Sequence, residues 1–146
     1  MPTFARSFAP ITAKKLAAFE RRTGLRLPQD YQQFLLATNG GSPSPDRFHV
    51  PSCGDACAGF LYGLSTPTTP CDLDYELAQA QLYDPLPEGF LPIGHDPGGN
   101  TLLLATCGEY SGQIFFWDRG GLWRRDNQNT FFVAASFTEF LNSLSE

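Results

Sequence analysis

The chain has 146 residues, 42% of them hydrophobic and 17% charged, and a net charge of −5. That length predicts one domain, residues 1–146, burying about 70% of its unfolded surface and needing no disulfide or metal to hold a core. The N-terminus has no long apolar run, which predicts neither signal peptide nor membrane span, and hence a cytoplasmic protein with reduced thiols at Cys53, Cys57, Cys71 and Cys107; in a secreted protein the even count would permit two disulfides.

In chain order, Thr12 caps a first helix running to about Thr23. Leu16 and Phe19 share its inner face, Lys14, Lys15, Arg21 and Arg22 face solvent, and Gly24 ends it. The second helix has both ends marked. Pro28 suits the first helical position, where a missing N–H costs nothing. Asp30 puts negative charge in the first turn, as the helix dipole favours. Tyr31, Phe34, Leu35 and Thr38 recur at helical spacing. Asn39-Gly40-Gly41 then tolerates the positive φ of a C-cap, predicted at Gly40 or Gly41.

Ser42 to Asp46 holds two prolines and is expected to be irregular. Phe48-His49-Val50 predicts a short strand, Pro51 to Ala58 a turn-rich segment, and Gly59 to Leu64 a second strand. Ser65 to Pro70 is a loop, since its prolines cannot pair within a sheet. Asp72 begins a third helix to about Tyr83, with Leu73, Leu77 and Ala80 as its buried spacing. Strands follow at Phe90 to Ile93, Asn100 to Thr106, Gln113 to Asp118, Leu122 to Arg125 and Thr130 to Ala134, separated by turns. In Gln113 to Asp118, Ile114 and Phe116 face one way and Phe115 and Trp117 the other. Two apolar faces predict a strand covered on both sides. Ser136 caps a last helix bearing Phe137, Phe140, Leu141 and Leu144. Helices at the start, successive hairpins and a closing helix predict an α+β fold with a mostly antiparallel sheet.

Charge is unevenly placed. Five of the ten basic residues, Lys14, Lys15, Arg21, Arg22 and Arg26, lie in the first helical region. From Phe48 to Asp118 there is no Lys or Arg, but there are nine acids: Asp55, Asp72, Asp74, Glu76, Asp84, Glu88, Asp96, Glu109 and Asp118. Such a segment is either a solvated acidic surface or a face for a basic partner. Both readings argue against direct nucleic-acid binding, which needs positive charge against phosphate.

Catalytic motifs are missing from the sequence. There is no nucleophile elbow, phosphate loop or His-Glu-x-x-His. Pro51 to Cys57 lacks the His-x-Glu and Pro-Cys-x-x-Cys of a nucleobase deaminase. A structural zinc held by His49, Cys53, Cys57 and Cys71 has the right ligand types; packed or loop thiols are the plainer reading. Cys107 with His95 and either Asp96 or Glu109 has the residue types of a nucleophile, base and orienting acid, but no spacing selects that arrangement. No cofactor is predicted. Elimination favours a binding role over an enzyme.

The run Phe19-Glu20-Arg21-Arg22-Thr23-Gly24-Leu25-Arg26-Leu27-Pro28-Gln29-Asp30-Tyr31, with Phe34-Leu35 and Asn39-Gly40-Gly41, resembles the N-terminal signature of the SUKH superfamily. Leu61-Tyr62-Gly63-Leu64 is similar to its central strand, and Ala135-Ser136-Phe137-Thr138-Glu139-Phe140-Leu141 to its C-terminal helix start. Leu91-Pro92-Ile93-Gly94 and Gly98-Gly99-Asn100 extend the match, in order, across nearly the whole chain. The resemblance implies an α+β fold and an immunity protein of a bacterial polymorphic-toxin system, whose partner is a cognate toxin domain such as a basic nuclease. A regulatory or scaffolding adaptor is the alternative within the family, and a thiol- or zinc-dependent enzyme the alternative outside it. For partner binding, Asp72, Asp74, Glu76 and Glu109 are the candidate charges. Tyr62, Tyr75, Tyr83, Tyr110 and Trp123 are the candidate anchors, since aromatic side chains often carry binding energy.

Overall fold

The computed structural model describes residues 2–51, 53–66, 70–83, 86, 89–118 and 130–146. The strand expected at Leu122 to Arg125 lies outside them. The helices are α1 (Ala13–Thr23), α2 (Gln29–Ala37), α3 (Leu73–Tyr83) and α4 (Phe137–Ser143). The strands are β1 (Thr3–Ala5), β2 (Ser42–Ser44), β3 (Arg47–Val50), β4 (Gly54–Cys57), β5 (Phe60–Leu61), β6 (Phe90–His95), β7 (Thr101–Ala105), β8 (Ile114–Trp117) and β9 (Thr130–Ala134). Strands β5 to β9 form one antiparallel sheet in sequence order, while β1–β2 and β3–β4 are separate antiparallel pairs. The fold is α+β, as predicted.

Local chemistry sets the helix ends. Thr12 Oγ1 accepts from the Lys15 amide, and Gly24 closes α1 at φ 75°. Pro28 stands one position outside α2, at ψ 149°, so the proline precedes the first turn rather than opening it. Asp72 Oδ1 accepts from the amides of Asp74 and Tyr75 at the start of α3. Ser136 Oγ accepts from Glu139 N, while Glu139 Oε2 accepts from Ala135 N, a reciprocal cap on α4. Asp30 does more than complement its own helix: its Oδ2 accepts from both the amide and the hydroxyl of Thr138, joining α2 to α4.

The end of α2 joins three segments. Asn39, Gly40 and Gly41 all have positive φ, at 51°, 82° and 122°. Asn39 is buried, and its Nδ2 donates to Ala9 O and Leu64 O while its Oδ1 accepts from Leu64 N. Gly41 exchanges two backbone hydrogen bonds with Leu61 of β5. A Cβ on Gly40 would lie 2.8 Å from Leu61 O, so the backbone itself packs there. The C-cap itself falls earlier than the expected Gly40 or Gly41: it is Thr38, followed by Asn39 as the first left-handed residue, so the glycines serve close approach rather than helix termination.

Two segments expected to be irregular or turn-rich instead contain strands. Ser42 to Asp46 is not wholly irregular: β2 pairs with β1, Phe4 opposite Pro43. Within Pro51 to Ala58, β4 pairs with β3. Both strands are short and contain Pro, Ser, Gly or Cys, so neither alternates in a readable way.

The buried faces of all four helices share one core with Leu91, Leu102, Leu104, Ile114 and Phe116 of the large sheet. Phe48 of β3 meets Phe116 and Phe140 edge-on, with centroids 6.1 and 5.3 Å away. Tyr31, Phe34 and Phe137 close the α2–α4 contact. Each buried ring contributes roughly 1.5–3 kcal/mol. The opposite face of β6–β9 lies outside this core and positions the site described next.

Candidate functional site

The register aligns Pro92, Leu103, Phe115 and Phe132 across β6, β7, β8 and β9. Alternation therefore puts them on the sheet face turned away from the helices. Leu103 and Trp117 are buried there, Phe90 and Phe115 are half-buried, and Phe132 and Tyr110 are 43% and 51% exposed. This corrects the expectation that β8 is covered on both sides: its outer face is only partly covered. Phe115 is the centre. Phe90, Tyr110 and Phe132 stand at 73°, 82° and 80° to its plane, with centroids 5.4, 5.9 and 6.1 Å away. Leu103, Gln113 and Thr130 complete an open cavity of about 580 Å³. Glu109 adjoins it through a hydrogen bond to Tyr110. That bond, followed by the carboxylate charge and slight desolvation, raises the Tyr110 pKa above its ordinary value.

Of the candidate anchors whose side chains are described, Tyr110 alone is brought into this face. Tyr62 belongs to the core, 3% exposed, with its hydroxyl 3.0 Å from His95 Nδ1. Tyr75 is half-buried on α3. Tyr83 ends α3, and Trp123 lies outside the described residues. Phe90, Phe115 and Phe132, the rings that form the cavity with Tyr110, were not singled out by sequence reasoning. The available signal was alternation: Phe115 and Phe132 are paired residues on one sheet face.

The candidate acids do not form one cluster. Asp72 caps α3, and its Oδ2 also accepts from the Thr66 amide. Asp74 pairs with Arg22 at 2.7 Å, both partly exposed. Glu76 Oε2 accepts from the Cys71 amide. These bonds fix the carboxylates but leave their charge, which still contributes to the field of the molecule. Glu109 is separate, beside the aromatic face.

The catalytic and metal alternatives gain no geometry. His95 pairs with Thr101 at one end of the β6–β7 hairpin, whereas Cys107 lies beyond Ala105, which pairs with Phe90 at the other. The six residues of β6 hold them roughly 16 Å apart. No catalytic dyad forms across that distance. Cys53, Cys57 and Cys71 are free thiols. His49 lies against Asp55 at 3.1 Å, both exposed. Among the described residues, no three His, Cys, Asp or Glu side chains are arranged to hold a metal ion. Burial and nearby Glu76 raise the Cys71 pKa, against a smaller lowering by Arg6, which opposes thiolate formation. No helix among the described residues is long and apolar enough to cross a membrane.

The site is thus a shallow aromatic face with one adjacent carboxylate, suited to holding another molecule. Comparison with known proteins adds the kinship. The family model described as SMI1 / KNR4 family (SUKH-1) matches residues 10–143. No curated protein matches the chain.

Proposed function

We infer the function of this chain from its family: it belongs to the SMI1 / KNR4 family (SUKH-1). It is a single-domain, non-enzymatic immunity protein that acts in the cytoplasm by binding and neutralising a cognate toxin domain. The family match over residues 10–143 carries this reading. SUKH proteins typically serve polymorphic-toxin systems, where the inhibitor occupies the toxin's active site or substrate path. The aromatic face fits that task. Exposed rings bring large contact area at small cost in side-chain entropy, and a few such residues dominate most interfaces.

The acidic segment from Phe48 to Asp118 supports a basic partner. A toxin that acts on nucleic acid needs a cleft of positive charge, and an acidic inhibitor competes for that cleft and is steered to it. Asp72, Asp74, Glu76 and Glu109 supply charge to this field, and Tyr110, Tyr75, Tyr83 and Trp123 remain the proposed tyrosine and tryptophan anchors.

Co-expression with the protein encoded next to this chain tests the reading. The two are expected to co-purify, and cells producing the toxin domain are expected to grow only when this chain is also produced. Growth arrest despite folded chain, with no complex recovered, overturns it.

A further inference from the structure

The arrangement of rings around Phe115 has a chemistry of its own. Three aromatic side chains stand near-perpendicular to a fourth within about 6 Å, around an open cavity. The face of each ring carries negative electrostatic potential, so such a box attracts cations. Elsewhere in the molecule, rings are used this way internally: the Arg6 guanidinium lies over Phe60 at 5.8 Å, and that of Arg22 over Phe19 at 5.9 Å. Among the described residues, no cation lies over Phe90, Tyr110, Phe115 or Phe132. Glu109 places a carboxylate beside the cavity, hydrogen-bonded by the Tyr110 hydroxyl. No Lys or Arg occurs between Phe48 and Asp118, the segment that supplies three of the four rings. An apolar partner side chain would gain from the rings but nothing from Glu109. A cationic one gains from both.

We propose that the Phe90, Tyr110, Phe115 and Phe132 cavity, with Glu109 beside it, receives a Lys or Arg side chain of the partner protein. This rests on the partner-binding reading and adds what that partner must present: a basic side chain protruding from its surface. The stem packs against Phe115 and Leu103, and the charged head meets the exposed rings and the carboxylate. Long cationic side chains have this division of apolar stem and charged tip.

The test needs no partner. N-acetyl-lysine-methylamide and its uncharged counterpart, N-acetyl-norleucine-methylamide, are titrated separately into the intact protein while aromatic resonances are followed by NMR. The lysine probe is expected to shift the signals of Phe90, Tyr110, Phe115 and Phe132 and to bind about two- to fivefold tighter than norleucine, the range of an exposed cation–π contact. Glu109→Gln should weaken the lysine probe and leave norleucine unchanged. Phe132→Leu, at an exposed position that tolerates the change, should reduce the preference for lysine while thermal unfolding stays near wild type. Equal or tighter binding of norleucine overturns the proposal, as do lysine-induced shifts confined to other regions. Either result leaves the toxin reading intact, since growth protection is measured without reference to this cavity. A chain that protects nothing can likewise still select lysine over norleucine.

Discussion

Tyr31 is fully enclosed, and among the described residues its hydroxyl has no hydrogen-bond partner. Burial pushes its pKa far above the ordinary 10.0 by penalising the phenolate. A raised folded pKa gives stability that is complete below the unfolded value and is lost as pH rises beyond it. Tyr31→Phe removes both the unsatisfied hydroxyl and this linkage. The variant should be as stable as wild type or about 1 kcal/mol more stable near neutral pH. Its denaturation midpoint should also fall less steeply above pH 10. Chemical denaturation at pH 7 and across pH 9 to 11 checks both, and a loss above 1 kcal/mol at pH 7 would reveal a hydrogen bond to that hydroxyl. The glycines make a second comparison. Gly24 has φ 75° with nothing near its absent Cβ, whereas Gly40 has φ 82° and backbone at 2.8 Å. Alanine at Gly24 should cost only the left-handed strain, about 1–2 kcal/mol; alanine at Gly40 should cost measurably more. Equal losses would remove close approach as the reason for Gly40. Positive φ at Gly40 and Gly41 was legible in the sequence because Asn-Gly-Gly follows an apolar helical period, but the C-cap lies at Thr38, ahead of both. The buried hydrogen bonds of Asn39 were not legible, because their partners Ala9 and Leu64 are distant in the chain.

Elements were read best where caps and periodicity agree. Thr12, Asp72 and Ser136 start their helices as expected, because short polar side chains satisfy the first free amides. Asp72 separates two roles that the sequence merges. Its carboxylate accepts from Asp74 N, Tyr75 N and Thr66 N, so it holds α3 as well as carrying charge. Asp72→Ala should therefore lower stability by about 1 kcal/mol, while Asp72→Asn, also a good cap, should cost less. Thermal melts of the two variants decide this, and equal melting temperatures for all three proteins would show that the cap contributes nothing. The small strands escaped notice for a different reason. β1, β2 and β4 have only three or four residues, and long-range pairing rather than residue type makes them strands. The outer face of β8 was misjudged because an apolar strand face reads alike whether it is fully or only partly covered. Pairing Phe115 with Phe132, and surrounding Phe115 with Phe90 and Tyr110, requires the register.

For the whole molecule, the order of the four helices and the family were legible because capped helices and their sequence signatures recur in a fixed succession. The aromatic face was not, since its rings Phe90, Tyr110, Phe115 and Phe132 come from separate segments of the chain. We propose that this chain binds a toxin domain through the aromatic face, with the acidic segment speeding encounter. Charge steering acts mainly on association, and desolvated aromatic contacts mainly on dissociation. The direct measurement is surface plasmon resonance of the chain against the C-terminal domain of the protein encoded beside it. It compares wild type, a Tyr110→Ala/Phe132→Ala variant, and an Asp74→Asn/Glu109→Gln variant that leaves the α3 cap intact. Toxin binding through this face predicts saturable one-to-one association and an association rate that falls as salt rises. It also predicts at least about tenfold weaker affinity for the double-alanine variant, as for one hot-spot contact, and a slower rate with a flatter salt slope for the neutralised one. Absence of saturable binding, or equal constants and equal salt slopes for all three proteins, would contradict it.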